Sequence, residues 1–250
     1  MSPENRHLPK GEYHRGDGDD LRSPCPVINS LANHGYIARN GRNVTANELK
    51  VALEQIGLGF DTATALVKIS FQAHVDPPAD KPRDTSNFGM RDTDQVNDDG
   101  DAVINLNQLG RPHAIEHDVS ITRQDRALGD CINLNTDLYQ QFLQSSEDGV
   151  SFTIADLGKH RKKRFEEQKR DNPTIDLDKR MHYIACAEVG AIACVFGKGP
   201  LYHVPKEYIE AIFGEERLPF KEGWKPRWIK VFLPEAGAMV LGISYYAWPF

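Results

Sequence analysis

The sequence predicts a mainly α-helical fold built as a single domain. Apolar residues recur at helical spacing in segment after segment, and strand-like alternation is confined to short stretches such as Trp228–Leu233. A chain of 250 residues suffices for one substantial core and forces no second one.

Residues 1–22 are polar and rich in Gly, His and Asp; they read as a flexible or surface-draped arm, leaving 23–250 as the domain. The first helix is expected to open at Pro26, because proline suits the first helical position, and Val27, Ile28, Leu31 and Ala32 follow at helical spacing. Thr45-x-x-Glu48 is a capping box for a helix to about Ile56, ended by Gly57 and Gly59. Asp61 is expected to cap another helix to about Ala73, stopped by Asp76-Pro77-Pro78. Pro77–Asp101 is a long polar loop, a length that is uncommon without a role, here a rim over a substrate entrance. Further helices are predicted near Gln124–Asp130, Asp137–Gln144, Ile154–Lys169, Asp178–Phe196 and Lys206–Phe213.

A net charge of −6 argues against a nucleic-acid surface. The basic run Lys159–Arg164, followed by Glu166 and Glu167, reads as a solvated helical face. Four cysteines do not make a disulfide framework. Cys186 and Cys194 lie on one predicted helix about 12 Å apart, too far to bridge. Cys131 could pair across a dimer; a monomer or weak homodimer is expected. Met1–Asp20 shows no secretory leader, and the run Ile184–Phe196 is interrupted by Glu188 and too short for a bilayer. The chain reads as soluble, without a membrane partner, and its localisation stays open.

Two positions carry chemistry on their own pattern. Cys25 sits between Pro24 and Pro26 at the expected N-cap. There the amides of Val27, Ile28 and Asn29 and the helix dipole should lower its pKa and supply a thiolate, as nucleophile or metal ligand. The competing reading is a small capping residue in a tight loop. Glu188 has Ile184, Ala185, Ala191 and Ile192 as helical neighbours, which predicts a carboxylate in a dry environment, either partnered or working.

Beyond Cys25 the chain reads Asn29-Ser30-Leu31-Ala32-Asn33-His34-Gly35-Tyr36 and Arg39-Asn40-Gly41, later Ile115-Glu116-His117-Asp118-Val119-Ser120, and later still Ala187-Glu188-Val189-Gly190-Ala191. In this order, from roughly Pro24 to Gly197, these motifs resemble the fungal haem-thiolate peroxidases, the chloroperoxidases and unspecific peroxygenases. The Glu-His-Asp form is similar to the short peroxygenases.

The resemblance implies haem b with Cys25 as the axial ligand, Glu188 as the acid–base group and His117 as its charge-stabilising contact. It also implies Mg²⁺ held by Glu116, Ser120 and the His117 carbonyl together with a haem propionate, a ligand set that suits this ion. A rival reading makes Glu116 and Asp118 a solvated carboxylate pair; Asp118 reads better as a positioning residue than as a ligand. Ile115, Ile184 and Ala191 are implied to line the substrate pocket. The implied activity is oxygen insertion into small apolar or aromatic molecules with hydrogen peroxide, through an oxoferryl intermediate. Alternatives are halide oxidation, a non-oxidative haem-binding tailoring role in secondary metabolism, or a hydrolase using the Glu/His/Asp cluster without haem. Family members are usually secreted and glycosylated, for which Asn43-Val44-Thr45 is a candidate site.

Overall fold

The computed structural model describes residues 8–75, 89–112 and 114–249, so the N-terminal part of the predicted 77–101 loop lies outside the described residues. In chain order the helices are α1 (Pro26–Asn33), α2 (Ala46–Gln55), α3 (Phe60–Ser70), α4 (Thr136–Leu143), α5 (Ile154–Asp171), α6 (Lys179–Phe196), α7 (Lys206–Ile209) and α8 (Leu233–Ala247). Two short antiparallel pairs staple the loops: β1 (Val44–Thr45) with β2 (Val103–Ile104), and β3 (Ser151–Phe152) with β4 (Val204–Pro205). The fold is mainly α, with α5 and α6 both packed on α8.

Local chemistry sets most boundaries. The Thr45 capping box forms as expected: Thr45 accepts from the Glu48 amide at 3.2 Å and Glu48 accepts from the Thr45 amide at 2.9 Å. Thr153 and Asp156 cap α5 in the same way. Helix α3 starts two residues earlier than predicted, with Gly59 rather than Asp61 as its N-cap. Asp61 lies inside the first turn and accepts from the amides of Thr62 (2.6 Å) and Leu233 (3.1 Å).

Other expectations fail for identifiable reasons. Residues 124–130 form turns rather than a helix, because the Asp125 carboxylate is drawn to the Val119 amide and the Leu128 and Gly129 amides close on the Asp125 carbonyl. Trp228–Leu233 is not a strand: only Val231 pairs, bridging Leu58 through bonds with Gly57 and Gly59, while Trp228 and Ile229 stay exposed. Helix α8 was not predicted. It begins with Leu233-Pro234 and is apolar nearly all round, so it shows little helical periodicity. Helix α7 runs into a π turn at Glu210–Gly214.

The basic run is the largest correction. Lys159, Lys162 and Lys163 are exposed, but His160, Arg161 and Arg164 are buried on the inner face of α5. His160 packs against Phe142 with ring centroids 5.1 Å apart, and burial with the charges of Arg164, Lys163 and Arg161 pushes its pKa down to about 3.

The arm from residue 8 onward is fastened rather than loose. Gly11 and His14 amides donate to the His34 and Asn33 carbonyls, and the Tyr13 hydroxyl reaches the Glu215 carbonyl at 2.7 Å.

Close approach of α5 and α8 depends on Gly158, where an added Cβ would stand 2.5 Å from the Tyr246 Cβ and 2.9 Å from the Ile243 carbonyl oxygen. Alanine favours helix by about 1 kcal/mol over glycine, yet overpacking costs about 1–3 kcal/mol. Gly158→Ala is therefore expected to lower the urea unfolding midpoint; a raised midpoint would show that the two backbones part freely.

Candidate active site

Cys25 is the N-cap of α1, in extended backbone (φ −83°, ψ 112°) that Pro26 helps to fix. The loop before it is held from behind. The Ser23 hydroxyl accepts from the Cys25 amide (3.2 Å), and the Asn29 side chain bonds the Ser23 amide (2.8 Å) and carbonyl (2.8 Å). Asn29 also donates to Glu216 (2.7 Å), which pairs with the buried Arg123 at 3.3 Å.

The amides of Val27 and Ile28 act on the sulfur and lower its pKa, but the Asn29 amide donates instead to the Cys25 carbonyl at 3.1 Å. The expected low-pKa thiol is therefore corrected. Burial, reinforced by the Glu188 charge, outweighs the helix terminus and pushes the thiol up to about 11. A metal ion that binds such a thiol displaces its proton to solvent, so a raised thiol pKa does not bar ligation.

The charge of Glu188, on α6, is felt at Cys25, Glu116 and His117. Its Oε2 lies 3.4 Å from Nε2 of His117. The imidazole is fully enclosed and its Nδ1 is 2.6 Å from the Asp118 carbonyl. Burial alone would depress the His117 pKa, but the Glu188 carboxylate overrides it and leaves it raised. The dry surroundings expected for Glu188 are not found: its side chain is 52% exposed, because Ala187 and Glu188 form the open face of α6 while Ala185, Cys186, Val189 and Gly190 face inward.

Glu116 neighbours this pair. As a whole the residue is half-buried, yet its carboxyl is crowded by protein, and desolvation with the Glu188 charge pushes it up to about 8 against the pull of His117, Arg126 and Arg123. Among the described residues no three His, Cys, Asp or Glu side chains form a metal site on their own. By donor type alone, one carboxylate (Glu116), one hydroxyl (Ser120) and one carbonyl (His117) are oxygen donors of the kind a hard divalent ion takes. Because Glu116 holds its proton more tightly folded than unfolded, its contribution is intact below the ordinary value of 4.5 and is lost as pH rises to about 8. The metal-free chain should therefore lose stability across that window, and Glu116→Gln should flatten the slope in melts at stepped pH; an unchanged slope would contradict the burial of this carboxyl.

Asp118 is no part of a solvated carboxylate pair. Its Oδ2 accepts from the Asn172 side chain (3.0 Å) and the Asp176 amide (2.9 Å), which is a positioning role. Ile115, Ile184 and Ala191 are all half-buried; Ile184 packs with Val119, Leu177 and Met181. Cys131, Cys186 and Cys194 are buried free thiols, so no pairing within the chain occurs among them. The residues that sequence reading missed are Arg123 and Glu216 behind Cys25, and Asp125, Arg161, Arg164 and Asn172 around the 116–120 turn. Arg161, Arg164 and Gln168 follow Leu157 at three- and four-residue steps, a buried-face period that their charge and polarity concealed.

A thiol capping a helix, an acid–imidazole pair whose field reaches it, and a carboxylate crowded enough to favour a cation together define a class of site. It suits a thiolate-held metal group with an acid–base pair nearby. A family model described as "Peroxidase, family 2" matches residues 11–229, and the chain belongs to this peroxidase family. An aromatic peroxygenase of Coprinellus radians is 30% identical over 80% of this chain and 77% of its own length. The chloroperoxidase of Leptoxyphium fumago is 27% identical over 92% of this chain, which spans 62% of that relative. An aromatic peroxidase, fscJ, of Fusarium equiseti is 31% identical over 62% of this chain and 36% of its own length. Among the described residues no helix is long and apolar enough to cross a membrane.

Proposed function

We propose that this chain is a haem-thiolate peroxygenase that uses hydrogen peroxide to oxidise small apolar or aromatic molecules. The observation that carries the reading is the Glu188–His117 pair at 3.4 Å, set in the same electrostatic neighbourhood as the helix-capping Cys25. Haem b bound through the Cys25 sulfur would supply the redox chemistry, with the thiolate favouring cleavage of the peroxide O–O bond.

The chain's own residues do the rest. Glu188 Oε2 takes a proton from peroxide and returns it to the departing oxygen. His117, with Nδ1 at the Asp118 carbonyl and Nε2 toward Glu188, stabilises the carboxylate and holds it in place. The Ser23–Asn29–Glu216–Arg123 network holds the Cys25 loop. Ile115, Ile184 and Ala191 present apolar surface to the substrate and help exclude water.

Glu116, with Ser120 and the His117 carbonyl, would hold Mg²⁺ against a haem propionate. Removing the carboxylate in Glu116→Ala should lower the haem retained through gel filtration, and metal analysis of the wild-type holoprotein should find magnesium. Absence of a divalent ion there would reject this role.

Incubating the purified holoprotein with isotope-labelled hydrogen peroxide and an aromatic substrate tests the proposed reaction. The label should enter the product, and products formed with added bromide should show whether halide oxidation competes. Oxidation products free of the label would contradict oxygen insertion.

A further inference from the structure

Among the described residues, Val119 is the only β-branched residue with a left-handed φ, at +67°. Such a conformation is strained for valine, because its branched Cβ crowds the backbone, and it persists only where the surroundings over-determine it. Here they do. The Val119 amide donates to Asp125 Oδ1 at 2.8 Å, and its carbonyl accepts from Arg161 Nη1 at 3.4 Å. The next carbonyl, of Ser120, accepts from Arg164 Nε at 3.2 Å. Asn172 ties the Asp118 and Asp125 carboxylates together, at 3.0 Å to each. Gln168, with its amide turned to satisfy both neighbours, donates to Asp125 and accepts from Arg164.

Both arginines project from the buried face of α5, and ordinary ion pairing does not account for the pair. Arg164 does meet Glu167 at 2.9 Å, but Arg161 has no carboxylate within ion-pair distance among the described residues, and its Nε is buried without a partner. Burying a guanidinium in this way is costly. What Arg161 does hold is the carbonyl of the strained residue and the neighbourhood of the Cys186 thiol.

We propose that Arg161 and Arg164 are positioning residues that clamp the Glu116–Ser120 turn in its left-handed form. The clamp keeps the His117 carbonyl and the Ser120 hydroxyl in one set with Glu116, and the His117 ring against Glu188. Its consequence for haem rests on the reading given above; the clamp itself is a property of the polypeptide and is measurable without any cofactor.

The test uses the full-length chain and two readouts. In the cofactor-free protein, Arg164→Leu should speed amide hydrogen exchange at residues 118–121 on the order of tenfold, the equilibrium factor that matches release of one strained conformation. Exchange in the interior of α6, around Val189, should stay unchanged. After haem loading, the same variant should retain several-fold less haem, and Arg164→Lys should retain more than Arg164→Leu.

Adding Val119→Gly to Arg164→Leu should restore much of the retention, since glycine adopts left-handed backbone without strain. A merely structural arginine predicts the opposite, because removing the buried Val119 side chain would destabilise the chain further. Uniformly faster exchange across the chain, or lower haem retention in the double variant than in Arg164→Leu alone, would overturn the proposal. A wild-type chain that binds no haem would overturn the functional reading instead, leaving the exchange experiment to decide the clamp.

Discussion

Glu188→Gln is expected to slow peroxide activation by about 10²–10⁴-fold, the usual contribution of a general acid–base group, or roughly 3–5 kcal/mol of barrier. The amide has nearly the shape of the carboxylate, and the side chain is half-exposed on the open face of α6, so neither packing nor fold should change. An amide cannot take and return the peroxide proton. The variant also withdraws the charge that raises the His117 pKa. Stopped-flow mixing with peroxide reads the rate directly, and substrate-binding spectra should change little because Ile115, Ile184 and Ala191 are untouched. Activation at the wild-type rate would move the acid–base role elsewhere, with His117 the first residue to examine.

The second large effect is at Cys25. Cys25→His should still bind haem while losing nearly all oxygen insertion, because imidazole would supply less electron density to the haem iron than thiolate does. The backbone around position 25 should survive the exchange, since it is held by Ser23, Asn29, Glu216 and Arg123 rather than by the sulfur. Retention of full oxygen insertion would mean that another thiol is the ligand.

Much of the local structure around the candidate site could be read before folding because its residues sit in contiguous motifs governed by local rules. Pro26 starts α1 and thereby makes Cys25 a cap; Thr45 and Glu48 cap α2 through bonds confined to four residues. The members of Glu-His-Asp-x-Ser are fixed to one another by covalent neighbourhood. The electrostatics were less legible. The amides near the sulfur are visible in the sequence, but the burial of the thiol and the approach of Glu188 from a helix more than 150 residues away are not, and these reverse the sign of the shift. The exposure of Glu188 likewise depends on which face of α6 is packed by α8, an element whose nearly uniform apolarity left no helical period to detect. Arg161 and Arg164 were hidden for a different reason. A basic run defaults to a solvated face, and only the tertiary partners at Val119 and Ser120 turn two of its charges inward.

The ferrous–carbon monoxide spectrum of the purified holoprotein tests the central claim, thiolate-ligated haem on Cys25, most directly. Thiolate ligation should give a strongly red-shifted Soret band in the wild-type protein, lost in Cys25→His with haem still bound. Either no Soret absorption at all or an imidazole-type band in the wild-type protein would contradict it.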